Sequence, residues 1–103
     1  MAEKRYLLPV WTDTRIRHYH RTERRRIVEF SLQLKVEVEG DWRAVTRYDT
    51  AHGFAHIDRF TMAGRKGRER LNLDYTKALT RAERDLKQNW LAYRARFLRG
   101  EFP

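Results

Sequence analysis

The chain has 103 residues, of which 23 are Lys or Arg, 14 are Asp or Glu and none is Cys, so its formal net charge is +9. This length suits a single domain, and a hydrophobic fraction of 41% excludes wholesale disorder because that much apolar surface can offset chain entropy. Without Cys there is no disulfide framework and no thiolate chemistry, so we expect a protein of the reducing cytoplasm.

No membrane association is expected, since no stretch approaches the roughly 18–20 apolar residues that span a bilayer. The first six residues are followed by only five apolar or neutral ones, too few for the apolar region of a secretory leader. The positive charge is concentrated in residues 1–26 and 63–103, whereas residues 27–62 are mildly acidic. This asymmetry indicates a polyanionic partner, with nucleic acid the first choice.

The first 26 residues are predicted to form a basic N-terminal arm that precedes a single domain over residues 27–103. Residues 6–11 are compatible with either a short edge strand or an apolar flap, and residues 15–21 with extended chain. Neither alternative is fixed by the pattern.

Four strands are predicted next. Residues 28–39 alternate between apolar and polar side chains without a break, which is typical of a strand with one buried face. Further strands are predicted over residues 42–49, 54–62 and 68–75, separated by turns that contain Gly.

The last segment changes to a helical period. Six apolar residues recur at spacings of three and four, and these are Leu79, Ala82, Leu86, Trp90, Tyr93 and Phe97. A capping box from Thr80 to Glu83 places the helix start near Thr80, and Gly100 suits the position just past its end.

Hairpin registers that place the apolar residues on one face predict an α+β fold, namely a four-stranded antiparallel meander with one long C-terminal helix packed on one face. These registers are expressed by the pairs Val38–Trp42, Val36–Ala44, Leu32–Tyr48, Tyr48–Ala55, Thr46–Ile57, Ile57–Leu73 and Ala55–Tyr75. The opposite face then gathers polar side chains, which are Arg47, Asp49, His52, His56, Asp58 and Asp74.

Three interpretations of this polar group stay open. It is a solvated sheet face, an acid–base site for phosphodiester cleavage, or a divalent metal site formed by His52, His56 and Asp58. In the acid–base interpretation His56 is the base and His52 the acid, although the two roles are interchangeable. Arg47 clamps the phosphate, and Asp49 or Asp58 orients an imidazole. That chemistry needs neither a metal nor another cofactor.

Arginines and a lysine outside this group are predicted to hold the phosphate backbone, and these are Arg24, Arg25, Arg26, Arg65 and Lys66. We therefore expect an RNA-directed protein, in one version a metal-independent endoribonuclease. The competing class is a non-catalytic module that binds RNA or an acidic protein, with Phe54 and Phe60 stacking on bases. Exposed aromatic residues on the polar face are equally compatible with a homodimer interface.

The segment Arg47-Tyr48-Asp49-Thr50-Ala51-His52-Gly53-Phe54-Ala55-His56-Ile57-Asp58 resembles an Arg-Tyr-Asp-x-Ala-His-Gly-x-x-His-x-Asp pattern of small uncharacterised prokaryotic proteins. Some similar proteins are described as toxin components of toxin–antitoxin pairs. The resemblance covers mainly residues 28–62. It implies that Arg47, Asp49, His52, His56 and Asp58 form the site, and that an antitoxin-like protein partner neutralises the activity.

Overall fold

Every strand of the sheet pairs with its neighbour in the chain. The computed structural model describes residues 1–103. It contains six strands and one helix: β1 (Ala2–Trp11), β2 (Thr14–Glu23), β3 (Arg26–Val38), β4 (Asp41–Asp49), β5 (His56–Phe60), β6 (Lys66–Arg70) and α1 (Tyr75–Leu98). All five pairings are antiparallel, so the strand order in the sheet is the order in the sequence. The fold is an α+β meander covered on one face by a helix.

The predicted strand number of four is wrong, because β1 and β2 extend the sheet to six strands. These two strands come from the segment expected to be a basic arm. Neither strand shows a regular alternation of apolar and polar residues. The buried positions of β2 include the polar residues Thr14 and His18 beside Ile16. In β1 the apolar side chain of Leu7 is exposed, so apolar residues do not mark the buried face of that strand. The backbone pairing with β3, not an apolar stripe, identifies β2 as a strand.

The predicted hairpin registers are wrong in detail. The β3–β4 turn is tighter than expected, so Glu37 and not Val38 lies opposite Trp42. An irregularity next to Leu34 then shifts the pairing by one residue, which restores the predicted Leu32–Tyr48 pair. As a result Trp42 faces away from the helix, whereas Tyr48 faces it.

The pairs that involve β5 and β6 are displaced by an even number of residues from those expected. Tyr48 pairs with Ile57, and Ile57 pairs with Glu69. Because side chains alternate with period two, an even displacement keeps each residue on its predicted face. Both strands are shorter than predicted, and Leu73 lies in the connection between β6 and α1.

The helix begins at Tyr75, five residues before the predicted start at Thr80. Asp74 is the N-cap, and its carboxylate accepts a hydrogen bond of 2.8 Å from the backbone N–H of Lys77. Asp74 is therefore not part of the polar face that it was expected to join. Gly100 has a φ of 84° and its N–H bonds to the carbonyl of Phe97, which confirms the predicted glycine just past the helix end.

The core lies between α1 and the central strands. Fifteen buried apolar residues form one cluster, which includes Phe30, Leu32 and Leu34 of β3 and Leu86 and Phe97 of α1. No helix in the molecule combines the length and apolar character that a bilayer crossing requires.

Polar contacts fix the helix to the sheet at two places. Asp85 of α1 accepts hydrogen bonds from the hydroxyls of Tyr48 (2.5 Å) and Tyr93 (2.6 Å). Burial, together with this carboxylate, raises the pKa of Tyr93 to about 12 and raises that of Tyr48 further. Farther along the helix, Arg94 donates two hydrogen bonds, of 3.0 and 2.6 Å, to Asp13 in the β1–β2 turn.

Candidate functional site

The sheet has a second face, turned away from α1, which we call the outer face. The registers place its side chains in rows that cross the strands. One row contains Leu7, Arg17, Gln33, Arg47, Asp58 and Arg68. The next row contains Arg5, Tyr19, Ser31, Asp49, His56 and Arg70. Five of these twelve residues are arginines, on a face that no other element covers.

Asp58 is the centre of a buried polar network on this face. Its side chain is fully buried, yet it accepts two hydrogen bonds from Arg68, of 2.8 and 3.2 Å, and one of 3.1 Å from Arg47. Burial alone would raise the pKa of the Asp58 carboxyl, but the two guanidinium groups outweigh it and hold the pKa below its ordinary value. Asp58 is therefore a fixed negative charge that holds two arginines.

His56 is enclosed by the same network. Its ring is buried, with Nε2 at 2.8 Å from an Asp49 oxygen and 3.6 Å from an Asp58 oxygen. Both distances are short enough for an ion pair, but neither contact has the geometry of a hydrogen bond. On the other side of the ring, Nδ1 donates to the carbonyl of Phe54 at 3.3 Å. Both nitrogens thus face acceptor oxygens, and neither is open to a substrate.

His52 is exposed, in contrast to His56. It lies in the β4–β5 connection, with its ring centroid 5.4 Å from that of His56 and 6.3 Å from that of Phe54. The structure thus brings together Arg47, Asp49, His56 and Asp58, and it places His52 at their edge. The catalytic roles assigned to these residues stay predictions.

The molecule has no group of three or more His, Cys, Asp or Glu side chains arranged to hold a metal ion. Both carboxylate oxygens of Asp58 already contact a guanidinium, and an oxygen of Asp49 lies 3.2 Å from Nε of Arg47. Because these arginines supply the positive charge that a metal would bring, the geometry does not favour the alternative of a site at His52, His56 and Asp58.

Sequence reasoning missed a group of cations on β2 and β3. Arg15 lies opposite Lys35, and Arg17 occupies the neighbouring row; we call these three residues the cationic cluster. None of the three makes an ion pair with a carboxylate, and Nε of Arg15 is buried without a hydrogen-bond partner. Burial and the charges of Arg17, Arg15 and Arg47 lower the pKa of Lys35. The alternation Arg15-x-Arg17-x-Tyr19-x-Arg21 is the signal that would have revealed this surface.

Aromatic rings hold several of the outer-face arginines. The guanidinium carbon of Arg15 lies 3.8 Å from the ring centroid of Trp42, and that of Arg5 lies 4.1 Å from Tyr19. Arg47 contacts Phe60 and Arg70 contacts Phe54 in the same way, at 5.3 and 4.6 Å. Such cation–π contacts restrict the arginine side chains and so organise the cationic surface in advance.

An open cavity of about 190 Å³ lies beside the cationic cluster. Its lining combines two guanidinium groups, a phenol ring, a hydroxyl and an amide, from Arg5, Arg17, Tyr19, Ser31 and Gln33. The side-chain amide of Gln33 donates to the hydroxyl of Ser31 at 3.4 Å. The cavity therefore offers a stacking surface and hydrogen-bonding groups next to unpaired cations.

The five residues predicted to hold a phosphate backbone lie at opposite ends of the sheet. Arg24, Arg25 and Arg26 are exposed at the β2–β3 turn. Arg65 and Lys66 are exposed at the β5–β6 connection, where Arg65 contacts the ring of Phe102 at 5.3 Å. The structure therefore does not gather the five into one patch.

Comparison with known protein families gives one match, a family described as "Domain of unknown function (DUF7718)", which covers residues 1–103. Neither the curated proteins nor the solved structures contain a match to this chain.

Proposed function

From the premise that the chain belongs to this family of unknown function, we propose that it binds single-stranded nucleic acid, RNA in the first instance, on the outer face of its sheet. The observation that supports the proposal is the cationic cluster of Arg15, Arg17 and Lys35, in which Arg17 is exposed, the other two are half-buried and none has a carboxylate partner.

A polyanion is the class of ligand that suits this cluster. The lowered pKa of Lys35 reflects burial and repulsion from the neighbouring arginines, and a bound phosphate would relieve that repulsion. Guanidinium groups bind phosphate oxygens through paired hydrogen bonds, and each neutralised phosphate releases condensed counterions. The affinity is therefore expected to fall steeply as salt rises.

The shape of the surface favours a single strand over a duplex. A major groove admits a helix or a two-stranded ribbon, whereas the outer face is a six-stranded sheet. Unstacked bases can instead lie on such a face, stacking on aromatic rings and guanidinium planes. The guanidinium of Arg5, which already lies on the Tyr19 ring, and the polar groups of Ser31 and Gln33 line the cavity where such contacts would form.

The buried network has a positioning role in this proposal. Asp58 holds both Arg47 and Arg68, and Asp49 contacts Arg47. Arg47 is the one of these two arginines whose charge acts on Lys35 of the cluster, and His56 lies between the two carboxylates. A buried imidazole whose two nitrogens both face protein oxygens suits this role better than direct contact with a substrate.

The test compares two sets of charge-neutralising substitutions in RNA binding. The variant with Arg15→Gln, Arg17→Gln and Lys35→Gln removes the cluster. The control with Lys77→Gln, Arg81→Gln and Arg84→Gln removes equal charge from exposed positions on α1. We expect the cluster variant to lose at least about tenfold in affinity, and the slope of log affinity against log salt to decrease by about 2, as three lost phosphate contacts on a single strand require. Circular dichroism and Tm establish that both variants are folded.

Equal losses of affinity in the two variants would contradict the proposal, because the affinity would then depend on net charge and not on a particular binding site. Polyglutamate of matched charge distinguishes nucleic acid from an acidic protein. Competition by polyglutamate as effective as that by RNA would also contradict the proposal.

A toxin-type endoribonuclease with a neutralising protein partner is the second candidate. The observation that favours it is the exposed ring of His52 beside His56 and the arginines of the network. Labelled RNA is incubated with the protein, with its His52→Ala variant and with its His56→Ala variant, each with and without EDTA. Cleavage that survives EDTA and disappears in the His52→Ala variant supports catalysis, whereas binding without cleavage supports the module.

A further inference from the structure

The turn between β2 and β3 has an unusual backbone for its residues. Arg24 and Arg25 are its two central residues, and their φ angles are 51° and 66°. Positive φ at both central positions defines the tight hairpin turn that Asn-Gly prefers, because other side chains clash with the backbone there. This turn therefore retains two arginines where Asn and Gly would be more stable.

The other turns of the molecule follow the usual preference. The β3–β4 turn places Glu39 at a φ of 52° but follows it with Gly40, and the connections after β4 and β5 place Gly53 and Gly64 at positive φ. Arg24, Arg25 and Glu39 are the non-glycine residues with positive φ in the chain. Two consecutive non-glycine residues with positive φ thus occur in a single turn, and both are arginines.

Nothing within the fold uses these arginines. Both side chains are exposed, as is that of the adjacent Arg26, and none of the three forms an ion pair or a side-chain hydrogen bond. Strain that persists without a structural benefit points to a function outside the chain. We propose that the Arg24–Arg25 turn is a second contact for the nucleic-acid strand that binds the cationic cluster, an inference that rests on the proposed function.

The length of β2 determines how long a nucleic-acid strand must be to contact both the cluster and the turn. Arg15 and Arg24 are nine residues apart along an extended strand, or about 30 Å. At the stacked spacing of about 3.4 Å per phosphate, one strand that contacts both elements needs roughly nine nucleotides, and a strand with unstacked bases needs fewer. Oligonucleotides of about 4 nucleotides reach the cluster alone, and those of about 16 reach both elements.

The experiment measures Tm and RNA affinity for the Arg24→Asn, Arg25→Gly double variant. Relief of the backbone strain is expected to raise Tm by about 5 °C. The affinity for a 16-nucleotide RNA is expected to fall about tenfold, while the affinity for a 4-nucleotide RNA, followed by NMR titration, stays unchanged.

Two controls accompany it. Glu39→Asn relieves the same strain in a turn without arginines and is expected to raise Tm without weakening RNA binding. Arg81→Gln with Arg84→Gln removes two exposed charges from α1 and is expected to change neither the Tm nor the affinity appreciably.

The inference is overturned if the turn variant binds the 16-nucleotide RNA as well as the wild type does, or loses no more affinity than the α1 variant. In either case the proposed function stands, provided that the wild type binds RNA through the cluster. A wild type that binds neither oligonucleotide removes the proposed function and this inference together.

Discussion

Asp58 and Arg68 lie opposite each other on β5 and β6, and the guanidinium donates two hydrogen bonds, of 2.8 and 3.2 Å, to a carboxylate that is fully buried. Arg47 donates a third hydrogen bond to the same carboxylate from β4. Both arginine side chains remain about one-third exposed. One buried negative charge thus joins three strands and holds two positive charges at the surface.

Removing this carboxylate is expected to destabilise the protein. Asp58→Asn leaves Arg47 and Arg68 without their shared counter-charge, and we expect a loss of about 2 kcal/mol in the free energy of unfolding. This is less than the roughly 3–5 kcal/mol for a fully buried pair, because both arginines are partly solvated. Urea denaturation measures the loss. The control Glu69→Gln breaks the exposed pair with Arg59 and should have little effect; a similar loss in both variants would refute the special role of Asp58.

Acid is expected to weaken the fold through the same residue. The pKa of Asp58 is lower in the folded state than its ordinary value of 3.8, so its stabilising contribution is complete above that value and is lost as the pH falls through the folded pKa. The wild type should therefore lose stability below about pH 4, and Asp58→Asn should lose less over the same interval. Urea midpoints between about pH 2 and pH 6 test this expectation, and parallel curves for the two proteins would contradict it.

Because of His18, the loss of folding stability in acid is expected to begin at a higher pH. It is buried on the inner face, and burial lowers its pKa below 6.5, with the nearby charges of Lys4 and Lys87 acting in the same direction and Glu83 opposing them. The neighbouring His20 also lowers the pKa of His18. The two imidazole rings are hydrogen-bonded to each other at 2.7 Å. Since the unfolded chain takes up the proton first, stability should decline as the pH falls below about 6.5. An NMR titration should give a midpoint for His18 below 6.5, and a midpoint above it would refute this explanation.

The hydrogen-bonded contact between the helix and β4 should depend on a single carboxylate. Asp85 accepts hydrogen bonds from Tyr48, Tyr93 and Asn89, so Asp85→Ala leaves a buried phenol without its acceptor. We expect a loss of about 2 kcal/mol in the free energy of unfolding, and we expect the pKa of Tyr93 to move back toward 10. Chemical denaturation and ultraviolet titration of the tyrosines measure the two effects. An unchanged tyrosine titration would show that burial alone raises these pKa values.

Periodicity predicted the parts of the fold whose buried residues are apolar. The alternation around Leu32 and Leu34 and the helical stripe through Leu86 and Phe97 both correspond to the core of the structure. For residues 6–11 the pattern allows an edge strand without fixing it. It does not place β2 in the sheet, because Thr14 and His18 occupy buried positions that a pattern of apolar residues does not mark.

The candidate site was predictable in composition but not in accessibility. Arg47, Asp49, His56 and Asp58 lie together, since even displacements in register leave residues on the same face. The burial of His56 depends on how neighbouring side chains close over it, and no spacing in the sequence encodes that. The cationic cluster was missed because β2 was not assigned to the sheet, so Arg15 had no predicted neighbour in Lys35.

The most direct test of RNA binding on the outer face is an NMR titration of the ¹⁵N-labelled protein with a single-stranded RNA of about 16 nucleotides, followed through the arginine Nε–H and backbone amide signals. If RNA binds on the outer face, the signals of Arg15, Arg17 and Lys35 shift while those of Arg81 and Arg84 on α1 stay in place. Shifts that concentrate on α1, or a spectrum that RNA leaves unchanged, would contradict binding on that face.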